Sequence, residues 1–174
     1  ELQFSYLKMA GGIIKNTSES YSIDDNLFLQ CYNKGEKLLD SSDGIYSASS
    51  ISKYLVKKLD LEKLYKKRMG NYIQVYDGLS SIGIVPLVPE VSENTAPLSV
   101  PIVIKNRDAI RNTLKKDNIY LPVHWIDEKA SGIGKFLSET ELSLVIDHRY
   151  SSADINYMIK ALEKSKPEAA EYVT

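Results

Sequence analysis

The sequence predicts an α/β (α+β) fold in which a long helix leads into a small sheet of about three strands covered by helices. Three observations carry this expectation. Apolar residues recur at helical spacing through Leu61, Leu64, Tyr65, Tyr72, Val75, Tyr76 and Leu79. Between residues 99 and 146, three aliphatic runs of strand length alternate with polar stretches. A closing segment, Ser152 to Lys164, places Ile155, Met158, Ile159 and Leu162 at i, i+3, i+4 and i+7.

The elements follow in chain order. Phe4 to Ile14 is apolar and broken by Gly11-Gly12, so it reads as an extended piece interrupted by a turn. Asn16 to Ser22 is polar and reads as a loop. Asp24-Asp25 opens a helix bearing Leu27, Phe28, Cys31, Tyr32 and Leu38-Leu39, with Gly35 weakening its middle. Ser41 to Gly44 is a turn signature. Helical spacing resumes after Ser49, and Asp60 caps a long helix to about Leu79, with Glu62 suited to its dipole.

Pro86, Pro89 and Pro97 frame an irregular stretch, the best internal boundary candidate in the chain. Ser99 to Lys105 is then a strand, with Pro101 placing it at an edge or bulge. Asn106 can cap a helix to about Lys116. Ile119 to Trp125 reads as a second strand and Leu142 to Ile146 as a third. Between them, Ser138-x-x-Glu141 looks like a capping box.

Composition excludes several functions. The 174 residues are 43% hydrophobic and 26% charged, which is globular. Lys plus Arg is 22 against 23 Asp plus Glu, so no global field favours nucleic acid or anionic membrane. The lysine-rich run from Lys57 to Arg68 is read as a solvated helix face. One Cys and two His supply neither an intrachain disulfide nor a zinc site. No apolar run approaches the roughly 20 residues of a membrane span, and no signal-type stretch precedes Phe4. The expected compartment is the cytoplasm, with no nucleic-acid or membrane partner and no metal.

Four residues are candidates for chemistry. His124, beside Trp125, can meet an anionic or hydroxylated ligand, or can be a packed, hydrogen-bonded histidine. Arg149 can clamp a carboxylate, or pair with Asp147. Asp147 can orient Arg149 or cap the turn that follows. Lys8, near an apolar segment and Gly11-Gly12, can form a Schiff base if burial frees its amine, or can be solvated.

The order of motifs over residues 50 to 164 is more specific than any one of them. It runs through Leu59-Asp60-Leu61-Glu62, Arg68, Asn71-Tyr72 and Leu79, then Pro97-Leu98-Ser99-Val100-Pro101-Ile102 and Arg107-Asp108. It continues with Leu114, Asn118-Ile119-Tyr120, Pro122-Val123-His124-Trp125 and Leu137-Ser138. It closes with Ile146-Asp147-His148-Arg149-Tyr150, Asp154 and Met158. This series resembles the C-terminal small domain of fold-type I, pyridoxal-phosphate-dependent aminotransferases. Within them it is most similar to the DegT/StrS-like enzymes of sugar and cell-surface polysaccharide biosynthesis.

The resemblance implies residues 1–48 as a connecting segment from the tail of the cofactor domain, and residues 49–174 as the small domain. It implies homodimers with the active site between a large cofactor domain and this one. Lys8 before Gly11-Gly12 is then the candidate catalytic lysine, with His124 and Arg149 as substrate contacts and Arg149 as the carboxylate clamp. Pyridoxal phosphate is expected in the parent, whose large domain precedes this chain and supplies the cofactor contacts. The chain by itself is expected neither to bind that cofactor specifically nor to transaminate. The competing expectation is a stand-alone α/β binding or protein-interaction module without catalysis.

Overall fold

The structure, a computed structural model, describes residues 2–21, 24–44, 47–92 and 95–172. It divides into two units, Glu1–Leu59 and Asp60–Thr174. The proline-framed stretch around residues 86–97 lies inside the second unit and is not the division.

The first unit holds helices α1 (Leu2–Tyr21), α2 (Asp25–Asp40) and α3 (Ser50–Lys58). The extended piece expected at Phe4–Ile14 is helical, as is the expected loop from Asn16 as far as Tyr21; Ser22 lies outside the described residues. The physical reason is that Gly11 makes a close approach between helices rather than a turn. A Cβ on Gly11 would lie 2.7 Å from Tyr32 Cε1 on α2. Gly35 of α2 faces Lys8, Phe4 and Leu7 of α1 more loosely, where a Cβ would find ordinary contact at 3.5 Å. Positions 4, 7, 8 and 11 thus form one helical stripe. Asp24 caps α2 by accepting from the Asn26 N–H at 2.9 Å, and Ser49 caps α3 through the Ser52 N–H at 3.2 Å.

The second unit begins with α4 (Leu61–Ser81), the expected long helix. Asp60 caps it, accepting from the Lys63 N–H at 2.9 Å. Then come β1 (Ser99–Val103), α5 (Arg107–Lys116), α6 (Gly132–Thr140), β2 (Glu141–Val145) and α7 (Ser152–Lys164). β1 and β2 form an antiparallel pair in which Pro101 faces Ser143. The Pro101 carbonyl accepts from the Leu87 N–H at 2.8 Å, on the edge away from β2, so the missing proline N–H costs the ladder nothing.

Among the described residues the sheet therefore has two strands, not three. Residues 119–125 run beside β2 and share one backbone bond with it, at Pro122, but the groups on either side are satisfied otherwise. Arg111 Nε donates to the Leu121 carbonyl at 2.8 Å, the Ser143 N–H donates to the Pro122 carbonyl at 3.1 Å, and the His124 N–H donates to a side chain. Pro122 has no N–H to give. The capping box expected at Ser138–Glu141 is absent because Ser138 lies inside α6. A capping box does open α7, where Ser151 and Asp154 exchange bonds. Asn106 precedes α5 in a left-handed conformation (φ 52°) without a side-chain cap.

The core lies between α4, the sheet, α5 and α7. Val75, Leu79, Ile102, Leu114, Leu144, Ile155 and Leu162 are among its buried side chains. Gly78 lets α7 approach α4, since a Cβ there would sit 2.9 Å from Ile159 side-chain carbons. Gln74 and Ser152 close the rim of the same contact, the serine hydroxyl donating to Gln74 Oε1 at 2.9 Å.

Candidate functional site

β2 organises both second-unit candidates. Its residues alternate sides, so Glu141 and Ser143 project to one face and Leu142 and Leu144 to the other. All four are buried. A fully buried carboxylate is costly unless its oxygens are bonded. Glu141 Oε2 accepts from the His124 backbone N–H at 2.7 Å, and Oε1 accepts from the Ser143 hydroxyl at 2.6 Å. Ser143 Oγ in turn lies 2.9 Å from His124 Nδ1. The buried Arg107 guanidinium fixes the start of the strand, donating to the Glu141 carbonyl at 2.8 Å and the Ser138 carbonyl at 3.0 Å.

This chain leads outward to an imidazole whose side chain is 44% exposed. Trp125 follows with φ 56°, a left-handed conformation that bulky residues rarely adopt. Its exposed indole stands 5.8 Å from the imidazole, centroid to centroid. The corner thus combines an aromatic wall with a hydrogen-bonding nitrogen. Glu141 and Ser143 were not anticipated from the sequence. They sit 17 and 19 residues from His124, across α6, and only their i, i+2 spacing in an apolar run marks them.

Arg149 lies past the other end of β2. Its Nε donates to Asp147 Oδ1 at 2.8 Å and a terminal nitrogen to Oδ2 at 3.3 Å. The Arg149 N–H also bonds Oδ1, at 2.9 Å, so Asp147 both orients the guanidinium and caps the turn. Burial pushes the Asp147 carboxyl up, but the Arg149 hydrogen bonds, with the charges of Arg149 and His148, outweigh it and hold it below the usual carboxylate range. Buried Asn71 of α4 locks this turn, donating to the Asp147 carbonyl at 2.9 Å. Among the described residues, no hydrogen bond, ion pair or ring contact joins His124 to Arg149: His124 is held by Glu141 and Ser143, and Arg149 by Asp147.

A cleft of about 400 Å³ opens between residues 117–121, Val145 and α7. Its floor is apolar and Tyr120, Tyr150 and Tyr157 stand at its rim; neither His124 nor Arg149 lines it.

Lys8 belongs to the first unit. Its amine pairs with Glu36 of α2 and stands 5.1 Å from the Tyr32 ring centroid and 5.7 Å from that of Phe4. A phosphorylated cofactor would meet the Glu36 carboxylate there, so the surroundings of Lys8 do not fit one. The geometry makes Lys8 a strut between α1 and α2. Among the described residues, no helix is long and apolar enough to cross a membrane.

No family model matches the chain. No curated protein matches it either. Among solved structures, it is similar to the crystal structure of a DegT DnrJ EryC1 StrS aminotransferase from Brucella abortus, at 14% identity and a TM-score of 0.54. The likeness covers 79% of this chain and 44% of that one. The chain therefore spans less than half of that neighbour, and what it shares with it is a distant relationship of fold.

Proposed function

We propose that this chain is the C-terminal region of a pyridoxal-phosphate-dependent aminotransferase of the DegT/StrS type, acting in sugar or cell-surface polysaccharide biosynthesis. The observation that carries the reading is the fold likeness to a DegT DnrJ EryC1 StrS aminotransferase over 79% of the chain. The order of motifs from Leu59 to Met158 supports it independently. When bound, the cofactor supplies the electron sink for amino transfer. In this reading a large domain holds it, and the imine-forming lysine lies in that domain, because the Lys8 amine is engaged by Glu36.

The chain's own part is on the substrate side. His124 offers a hydrogen-bonding nitrogen beside the Trp125 indole, and Arg149, oriented by Asp147, supplies positive charge near the end of β2. Catalysis, homodimer formation and a cytoplasmic setting belong to the parent enzyme.

The test is to purify the gene product that carries this sequence with pyridoxal phosphate and record its visible spectrum. A bound-cofactor band that shifts on adding an amino donor is the expected result. A colourless protein that stays unchanged sinks the reading and leaves a non-catalytic binding module as the better account.

A further inference from the structure

The bonds around Glu141 fix more than the position of His124. A backbone N–H can only donate, so Glu141 Oε2 is an acceptor toward His124 N, at 2.7 Å. Glu141 Oε1 takes the Ser143 hydroxyl hydrogen at 2.6 Å. A serine has one such hydrogen. Once it is given to Glu141, Ser143 Oγ can only accept from His124 Nδ1, 2.9 Å away. Direct pairing of Nδ1 with Glu141 is too long to compete, at 3.8 Å. A neutral imidazole protonated at Nδ1 carries its lone pair at Nε2. Among the described residues, nothing donates to Nε2.

We propose that Glu141 and Ser143 are positioning residues that lock His124 in the Nδ1–H tautomer, so that its outward Nε2 accepts a hydrogen bond from a ligand hydroxyl. An anion, which has no hydrogen to donate, is disfavoured at that nitrogen. The hydroxyl part of the proposal rests on the reading of His124 as a ligand contact; the tautomer part does not.

The experiment is long-range ¹H–¹⁵N correlation on the ¹⁵N-labelled chain at mildly alkaline pH. The chain has two histidines, so a His148→Gln variant assigns the His124 signals. Expected for the unmodified chain is a protonated Nδ1 and an unprotonated Nε2. Glu141→Gln keeps the shape but adds a donor. Its oxygen must still accept the His124 N–H, so its amide nitrogen donates to Ser143. The serine hydroxyl then turns to Nδ1, and the proton moves to Nε2. Ser143→Ala, a second variant, removes the relay and abolishes the fixed Nδ1–H state.

Wild-type His124 protonated at Nε2, or a Glu141→Gln variant with the wild-type pattern, overturns the proposal. The ligand arm uses methyl glucoside and, separately, sulfate. A shift of Nε2 with the glucoside, weakened in Glu141→Gln and absent with sulfate, is expected. No glucoside shift with the tautomer pattern intact overturns the hydroxyl assignment and His124 as a ligand contact, while supporting the positioning roles.

Discussion

The two units are held together by different physics. In the second, the sheet and helices α4, α5 and α7 share a continuous apolar core in which Val75, Leu79, Ile102 and Leu144 are fully buried. In the first, no described apolar side chain is buried, and Leu27, Leu29, Leu39 and Leu55 are exposed. Its helices meet through Gly11 and Gly35, the Lys8–Glu36 pair and cation–ring contacts such as Lys15 over Phe28. Apolar burial yields about 25 cal/mol per Å², whereas an exposed ion pair adds about 0–1 kcal/mol. The comparison teaches where stability resides: the unit carrying His124 and Arg149 is the one with the buried apolar core.

The largest expected effect tests that core. Leu144→Ala should cost about 3 kcal/mol by the large-to-small rule, read as a lower denaturant midpoint. Leu27→Ala, at an exposed first-unit position, should stay within about 0.5 kcal/mol. Equal losses would erase the contrast. Next is Gly78→Ala, which drives a methyl into Ile159 and should cost about 2 kcal/mol. Adding Ile159→Ala should make the pair less than additive, as coupled neighbours are.

Asp147 comes third. Its folded-state pKa lies below the ordinary 3.8, so its contribution is present above that value and is lost as pH falls through the lower folded one. Asp147→Asn should remove about 1 kcal/mol near neutrality, after discounting for solvent, and flatten acid unfolding below about pH 4. An acid limb that keeps its wild-type slope would assign the pH dependence elsewhere. The smallest effect is Lys8→Ala, about 0.5 kcal/mol or less. Hydrogen exchange should quicken in α1 and α2 and stay unchanged in β1 and β2; quickening in the strands would contradict separate stabilisation.

Legibility in the sequence follows the range of the interactions. Helices α4 and α7 and strands β1 and β2 were readable because their apolar periods are local. Gly11-Gly12 misled because a turn and a close helix approach use glycine alike; only Tyr32, 21 residues away, distinguishes them. The strand expected at 119–125 failed because Arg111 and Glu141 take backbone groups that a ladder would use. The Asp147–Arg149 pair was legible as an alternative because the residues are two apart. The Glu141–Ser143–His124 chain was not, because α6 intervenes.

The functional reading is tested most directly by trapping the cofactor on the gene product that carries this sequence. That protein is loaded with pyridoxal phosphate, reduced with borohydride and digested, and the labelled lysine is mapped by mass. The expected label is on a lysine other than Lys8. A label on Lys8 would keep the aminotransferase and overturn its role as a strut between α1 and α2. No labelled lysine anywhere would contradict the account.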